Sequence, residues 1–562
     1  MAKRTVTPWL ILSCFITCFG SSMLYGYNIS VFNGPKDHIM CFLSENLLQI
    51  PCKDLSKNAE NGKDANGTAP ETAVDEAGHK LGLYYSLIMT VWIVFGAIGA
   101  FSTGAISNFF GRRNGLLFNN AFMIAGAIIS APTVATKIPY LLYIGRAFIG
   151  FNCGVTIGLA SIYLTEIAPI HIRGAIGACH QLAVTIGILV AFVCSGLKQT
   201  MNHEDLWIVA QALTGVPAII SLIVLPFCPE SPRFLFMNKG RIEDAKKALE
   251  RLYPGDNPED YIEEMRQEMQ GTCSAGECAV KDDADDVPMA AAAPAKKFHF
   301  VQLFTQADLR MPVAIAVGIQ IMQQLSGINA VMSYSSTMME TSGIHSDYVP
   351  YVNLGFSFFN VVCTVASLPL LEKFGRRTLL LVPSVFLAVS LVVLCASAVV
   401  VSETQSPDVK RNFSIVFMFF IFVYIAGFAF GLGTIPGFIV AEVFRQEPRS
   451  AAYSLSQGVQ WISNLIVSTT FVNLNLAIQG YVFLIYLSVV VPFWIFFFVC
   501  MPETKNRSFD DIANDLAFTR LCRGANDAQV IEDGGPDAKP MSSNMSLLKA
   551  DRIEKKQQDT VA

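Results

Sequence analysis

The sequence predicts an all-α membrane protein with twelve transmembrane helices in two six-helix bundles and cytoplasmic helices between them. Only 15% of the 562 residues are charged, well below the roughly 25% that is typical of soluble domains. The charges also cluster in a few blocks and leave apolar runs of about 20 residues, the length that crosses a bilayer core. A soluble multidomain enzyme is thereby excluded.

Twelve apolar runs can be counted along the chain. The first follows Lys3 and Arg4 directly and lacks a small-residue cleavage site, which indicates a membrane span rather than a removed signal peptide. The runs lie near residues 9–32, 84–106, 115–135, 139–163, 174–197, 206–228, 311–337, 349–371, 378–401, 413–440, 450–471 and 480–501.

The basic residues of the short loops are distributed unequally. One set of loops carries most of the arginines, whereas the opposite set holds only Lys137, Lys198, Lys410 and Arg411. By the positive-inside rule, the arginine-rich loops and both termini are expected in the cytoplasm. The predicted divisions are a cytoplasmic N-terminus 1–8, a first bundle 9–228 with an extracellular loop 34–80, a cytoplasmic linker 229–310 with a disordered part 271–297, a second bundle 311–501 and a cytoplasmic tail 502–562.

The predicted extracellular loop contains the sequon Asn66-Gly67-Thr68, which predicts glycosylation of Asn66. Cys41 and Cys52 in this loop either pair, as an oxidising compartment permits, or remain free thiols. The other cysteines lie mostly in apolar runs, and no metal-ligand spacing occurs among them. The formal net charge of −5 is too small to indicate a nucleic-acid partner.

Three short motifs occur once in each half of the chain, at equivalent places. They are Gly111-Arg112-Arg113 and Gly375-Arg376-Arg377 after the second span of each half, Glu166 and Glu442 seven residues before Arg173 and Arg449, and Pro229-Glu230-Ser231 and Pro502-Glu503-Thr504 after the sixth span. The halves are therefore predicted to be a parallel duplication, the plan of the major facilitator transporters.

The repeated motifs place arginines beside carboxylates at the cytoplasmic membrane boundary. One interpretation is a set of ion pairs between the two halves, which must break for the inner side to open. The alternative is plain anchoring by positive charge. The recurrence of carboxylates favours the gate, because orientation in the membrane does not require them.

Carboxylates are missing from the predicted spans until the cytoplasmic ends at Glu372 and Glu442. A proton-driven symporter needs a titratable group in its transport path, so this absence favours passive uniport. His180 is the other candidate, although a lone histidine near a helix end is more often a hydrogen-bonded structural residue.

The seventh span carries a stripe of amides. Gln320, Gln323 and Gln324 fall on one helical face, but Asn329 would point about 180° away from Gln320 on an unbroken helix. A break near Ser326-Gly327 is therefore predicted.

The tenth span is predicted to be broken as well, because Gly431, Gly433, Pro436 and Gly437 cannot form a regular helix throughout.

Further polar residues accompany this stripe within the spans, namely Gln181, Asn360 and Gln460, together with Trp461. Amides that donate and accept, next to an aromatic face, suit a neutral polyhydroxyl ligand. The alternative is interhelical amide bonding, worth about 0.6 kcal/mol for each bond.

Several short motifs along the chain together resemble those of one family. They are the Gly-Arg-Arg repeat, Gly26-Tyr27-Asn28, Ile144-Gly145-Arg146, Arg173-Gly174-Ala175, His180-Gln181-Leu182, Pro229-Glu230-Ser231-Pro232-Arg233, Gln323-Gln324-Leu325-Ser326-Gly327-Ile328-Asn329-Ala330 and Pro502-Glu503-Thr504-Lys505. From about Trp9 to Ala513 the chain closely resembles the animal facilitative glucose transporters, the sugar porter branch of the major facilitator superfamily.

The resemblance implies a plasma-membrane hexose uniporter that is not an enzyme and uses no ATP, ion, metal or other cofactor. Its proton-coupled relatives carry Asp where this chain has Asn28, in agreement with uniport. The resemblance also implies hexose contacts and a cytoplasmic lock. The implied contacts are Gln181, Gln323, Gln324, Asn329, Asn360 and Trp461, and the implied lock is Arg112, Arg113, Glu166, Arg173, Glu372, Arg376, Arg377, Glu442 and Arg449.

Two departures from the family pattern bear on the substrate. The typical glucose carriers have Glu and Trp on the tenth span where this chain has Ala429 and Gly437, and Gln-Leu-Ser on the seventh where it has Gln320-Ile321-Met322. The expected substrate is D-glucose, with a fructose-preferring or broad hexose or polyol carrier as the alternative. A sugar sensor that barely transports is the alternative from another class, and a homo-oligomer stays open.

Overall fold

The structure is a computed structural model that describes residues 7–51, 71–169, 172–196, 207–273, 300–329, 331, 348–404, 406–505, 507, 512 and 515. Within these ranges the chain is helical and contains no β-strand. The predicted glycosylation site Asn66, Cys52, and the segments 274–299 and 516–562 lie outside the described residues. Cys41 is disulfide-bonded, but its pairing with Cys52 stays a prediction.

Each of the twelve predicted runs coincides, in its described part, with helical structure. These are spans 1 to 6 of the first half and spans 7 to 12 of the second. Their bounds are Pro8–Thr17, Cys18–Ser22 and Met23–Ser30 (span 1), Glu71–Phe110 (2), Arg113–Ser130 (3), Tyr140–Ile167 (4), Arg173–Gly196 (5), Trp207–Ala212, Gly215–Val224 and Leu225–Phe227 (6), Ala307–Leu325 (7), Val349–Phe374 (8), Arg376–Glu403 (9), Pro407–Phe430 and Pro436–Val443 (10), Gln446–Ile478 (11) and Val482–Cys500 (12).

Ten of the helices described are long and apolar enough to cross a membrane. Spans 7 and 11 are the two that are not, because they carry the amides and hydroxyls that the sequence places in the interior. Polar residues in a membrane helix face the bundle interior rather than lipid. The predicted twelve-helix membrane fold is thereby confirmed.

Shorter helices join the two halves. Ile242–Leu252 and Pro258–Cys273 follow span 6, and Gln302–Thr305 precedes span 7. The Thr7 hydroxyl, at the start of span 1, donates to the Leu252 carbonyl at 2.5 Å, and the Tyr253 hydroxyl donates to the carbonyl of Ile167 at the end of span 4. The first two of these helices therefore pack against the first half, whereas Leu303 of the third lies in the core of the second half.

Both predicted helix breaks are confirmed. Span 7 ends at Leu325, and Gly327 adopts a positive φ of 85°, a conformation that glycine adopts without steric cost. A Cβ at this position would lie 2.5 Å from the Tyr486 ring. In span 10 the helix stops at Phe430 and restarts at Pro436.

Candidate functional site

A chain of amide hydrogen bonds connects the two broken spans with span 11. Asn329 Nδ2 donates to Gln324 Oε1 at 2.9 Å and to Asn464 Oδ1 at 2.9 Å. Gln323 Nε2 donates to the carbonyl of Leu432, inside the span 10 break, at 2.7 Å. The break in span 7 turns Asn329 onto the face of Gln324, as the sequence predicts. We call Gln323, Gln324, Asn329 and Asn464 the amide chain.

Several buried polar atoms on spans 7, 8 and 11 have no hydrogen-bond partner among the described residues. They are Gln320 Oε1, Asn360 Oδ1, Gln460 Oε1 and Trp461 Nε1. Buried polar groups are nearly always paired in native proteins, so unpaired donors and acceptors mark places where a ligand or water completes the set. Both kinds of atom occur here, as recognition of a hydroxyl requires.

The first half contributes span 5 to this region. A Cβ added at Gly437, in span 10, would meet its nearest atom, Cδ2 of His180, at 3.8 Å. Span 10 thus faces span 5 across the boundary between the halves. His180 Nδ1 lies 2.7 Å from Ser22 Oγ, which agrees with a structural role. Its neighbour Gln181 is half-buried.

At one end of the bundle, which we call the basic end, the first half holds a buried ion pair. Arg112 Nε and Nη2 donate to the two carboxylate oxygens of Glu166, each at 2.8 Å. Ser231 Oγ donates to Glu166 Oε2 at 2.5 Å. Glu230 Oε1 accepts the backbone N–H groups of Arg112 and Arg113 at 2.9 Å, where span 3 begins. Anions are favoured at such helix N-termini.

The second half repeats this arrangement. Arg376 Nη2 and Nε donate to Glu442 Oε1 at 2.8 and 3.1 Å, and the Thr504 hydroxyl donates to Glu442 Oε2 at 2.5 Å. Glu503 accepts the backbone N–H groups of Arg376 at 2.8 Å and Arg377 at 3.2 Å. The three repeated motifs therefore form one cluster in each half.

Gly111 and Gly375 explain why each motif begins with glycine. Their φ angles are +94° and +84°, in the region that glycine favours. A Cβ would lie 2.8 Å from a carboxylate oxygen of Glu230 at Gly111, and 2.4 Å from one of Glu503 at Gly375. The glycine lets the carboxylate reach the helix N-terminus.

The two best-defined ion pairs, Arg112–Glu166 and Arg376–Glu442, each lie within one half and do not bridge the halves. A cytoplasmic lock between the halves stays a prediction. The arginine and its carboxylate meet inside a half because spans 2 and 4, or 8 and 10, end side by side there.

The two halves nevertheless meet at the basic end. The charge of Arg449 acts on Glu166 from the other half, and a Cβ at Gly174 would lie 2.3 Å from Arg376 Nη2. Arg113 and Arg377 donate to carbonyls at the ends of spans 6 and 12. The side chains of Arg173 and Glu372 lie outside the described part of the chain.

Some members of both sites were not predicted from the sequence. Asn464 was not among the predicted contacts, although it follows Trp461 by three residues and so faces nearly the same way. The motif repeat pointed to Glu230, Ser231, Glu503 and Thr504, but only as signs of duplication. Their role as hydrogen-bond partners of the ion pairs depends on which loops meet in space.

The chain matches known proteins over most of its length. Residues 13–516 match the family described as Sugar (and other) transporter. Solute carrier family 2, facilitated glucose transporter member 2 of Gallus gallus is 33% identical over 557 residues, which cover 96% of this chain and 98% of the relative. Member 3 of Homo sapiens is 34% identical over 525 residues, covering 93% and 95%.

Solved structures share the fold. The proton:xylose symporter XylE bound to 6-bromo-6-deoxy-D-glucose superposes with a TM-score of 0.70 and 22% identity, over 91% of this chain and 99% of that one. The duplicated six-span plan with broken spans 7 and 10 around an interior amide site defines a membrane transporter of the major facilitator fold. The chain belongs to the sugar transporter family.

Proposed function

We propose that the protein is a facilitative hexose uniporter of the plasma membrane, which moves D-glucose down its gradient by alternating access. The amide chain, with unpaired donors and acceptors beside it, carries this proposal. It offers hydrogen bonds and an indole to a neutral polyhydroxyl ligand and no charge to an ionic one. The relatives named facilitated glucose transporters support the same substrate class.

The proposed sugar contacts are Gln181, Gln323, Gln324, Asn329, Asn360 and Trp461, to which we add Asn464. The basic end is proposed to face the cytoplasm together with both termini. The two charged clusters at this end are proposed to form the cytoplasmic gate, because the halves meet there. Glu166 of the first half and Arg449 of the second interact across this boundary. The Arg112 and Glu166 side chains are 3% and 0% exposed. This burial supports a gate rather than simple anchoring by positive charge, because anchoring does not require a buried carboxylate.

Uniport is supported by the surroundings of the buried arginine in span 4. Arg146 is fully buried, and its Nη1 lies 3.4 Å from Asn28 Oδ1. The neighbour is thus a neutral amide that cannot carry a proton. In the described membrane-crossing segments, Asp and Glu occur only in a first or last turn.

Uptake by the wild-type protein is therefore expected to be insensitive to outer acidification and to a protonophore. Asn28→Asp places a titratable group against the buried guanidinium, and we expect uptake by this variant to depend on the outer pH. Initial rates of labelled hexose uptake measure both. Asn33→Asp adds the same charge just beyond span 1 and should leave the pH profile flat. A wild-type rate that falls steeply with protonophore would rule out uniport.

The substrate is tested by zero-trans uptake of labelled glucose and fructose in cells that lack their own hexose carriers. We expect saturable glucose uptake that excess fructose does not inhibit. Preferential fructose uptake would favour the alternative carrier, which the small residues Ala429 and Gly437 suggest. Absence of uptake at normal surface expression would overturn transport and favour a sugar sensor.

Gly437→Trp sharpens this test, because a Cβ there meets no atom closer than 3.8 Å. The added indole offers a face for the C–H groups of a pyranose ring, so the ratio of glucose to fructose uptake should rise. Gly82→Trp, at another glycine with open space around it, is the matched control. An unchanged ratio would show that Gly437 does not line the sugar site.

A further inference from the structure

Spans 2 and 11 come from opposite halves and contact each other along their length. At the basic end, the Gly104 backbone N–H donates to Ser454 Oγ at 2.7 Å. Further along the membrane normal, a Cβ at Gly458 would lie 2.4 Å from Cζ of Phe101. The two helices therefore approach so closely that a glycine of one accommodates a ring of the other. We call this contact the 2–11 seam.

The seam ends in three aromatic rings. The Trp461 ring of span 11 lies 4.9 Å from Trp92 of span 2 and 5.8 Å from Tyr25 of span 1, measured between ring centroids. Both contacts are edge-on, a favoured geometry for aromatic pairs. The exposed fractions are 1% for Trp461, 4% for Trp92 and 9% for Tyr25. Trp461 thus belongs by sequence to the second half and by packing to the apolar core of the first.

Trp92 also contacts a buried arginine of its own half. The guanidinium of Arg146 lies 5.2 Å from the Trp92 ring and 4.6 Å from the Phe32 ring, within the range of a cation–π contact. Since Arg146 is fully buried, its charge acts on the ring with little competition from water. The first half therefore presents Trp92 as a fixed surface.

The rings lie at about the depth of the amide chain, at the end of the 2–11 seam that is farther from the basic end. Trp461 precedes Asn464 by about one helical turn, and span 11 begins at the basic end with Gln446. The 2–11 seam therefore extends from the depth of the amide chain to the basic end. Its contacts join opposite halves, so a path along it from the amide chain to that end opens only when they separate.

We propose that Tyr25, Trp92 and Trp461 form an aromatic latch, which holds the 2–11 seam closed and sets the balance between closed and open states of the basic end. The proposal deepens the proposed function, because alternating access requires this end to open. An aromatic pair that forms only in the closed state favours that state over the open one. Loss of the Trp92 ring should shift the balance toward the open state.

The test uses Ser454→Cys as a reporter in the full-length protein. Ser454 is 2% exposed, so a thiol there reacts only when the seam opens. The reporter protein is placed in nanodiscs and treated with a polar maleimide, and modification of the peptide that contains position 454 is followed by mass spectrometry. Trp92→Ala should raise the labelling rate between about twofold and tenfold, as loss of an aromatic pair allows.

Two further variants make the test specific. Trp92→Phe keeps a ring and should give a smaller increase. Phe95→Ala removes a ring from the same span that is 39% exposed, and should leave the rate unchanged. If Trp92→Ala does not yield monodisperse protein, Tyr25→Leu breaks the same latch from span 1 and should raise the rate.

The latch is overturned if these variants label no faster than Phe95→Ala. The readout requires no sugar and no transport, so its failure is distinct from that of the proposed function. A protein that carries no hexose would still show the change in labelling, and a hexose carrier without the latch would not.

Discussion

Glu166→Gln is expected to lower the thermal stability of the purified protein strongly. The substitution leaves the Arg112 guanidinium, 3% exposed, without its carboxylate partner. Breaking a buried pair by removing one member costs about 3–5 kcal/mol, because the remaining charge is buried without compensation. It also removes a charged acceptor from Ser231. The measurement is the apparent melting temperature in detergent, from the monodisperse fraction that survives heating.

The repeat supplies the control for this experiment. Glu442→Gln removes the same kind of carboxylate in the second half, where the arginine and glutamate side chains are 10% and 13% exposed. Water reaches this pair more readily, so the loss of stability should be smaller. A Glu442→Gln protein that melts at or below the temperature of Glu166→Gln would contradict the link between burial and stability.

Asn329→Leu is expected to reduce hexose uptake to about a tenth or less at unchanged surface expression. The leucine keeps a similar volume but removes the donor that serves Gln324 Oε1 and Asn464 Oδ1. Asn464 Oδ1 keeps the Ser468 hydroxyl as a donor at 3.1 Å, but Gln324 Oε1 loses the Asn329 donor. A buried acceptor that loses its donor costs about 1–3 kcal/mol, and 1.4 kcal/mol corresponds to a factor of ten. The variant is assayed as initial uptake normalised to surface protein.

Asn46→Leu is the matched control for the loss of an amide. Asn46 Nδ2 donates to the Phe42 carbonyl at 2.8 Å, in the helical segment that follows span 1. The same change there should leave uptake close to the wild-type rate. Normal uptake by Asn329→Leu would remove Asn329 from the site and, with it, the functional reason for the break in span 7.

The local features of this fold could be predicted from sequence because they depend on neighbours along the chain. The break at Ser326-Gly327 follows from helical phase alone, since Asn329 cannot otherwise share the face of Gln320. The twelve runs follow from local composition in the same way. Span 7 and span 11 show the limit of composition, because their polar residues lie in the interior and some, such as Asn329 and Asn464, pair with each other between helices.

The partners of the repeated charges could not be predicted from sequence. The spacing of Arg112 and Glu166 is the same whether the arginine meets its own half or the other one. Only the packing of the spans decides between these options, and it brings the two together inside one half. Asn464 was missed for a similar reason, because a single amide on a long helix is equally compatible with a surface or interior position.

The two charged clusters bear on the lifetime of the folded protein in the membrane. Each cluster binds the ends of several spans of one half to each other through Glu230 or Glu503 and the ion pair beside it. Each charged cluster, which we call a brace, thereby stabilises its own half as a separate unit. Loss of one brace destabilises that half and leaves the brace of the other half intact. Defects in a brace should shorten the life of the protein in the membrane, whereas defects at the broken spans should change what an otherwise abundant protein carries.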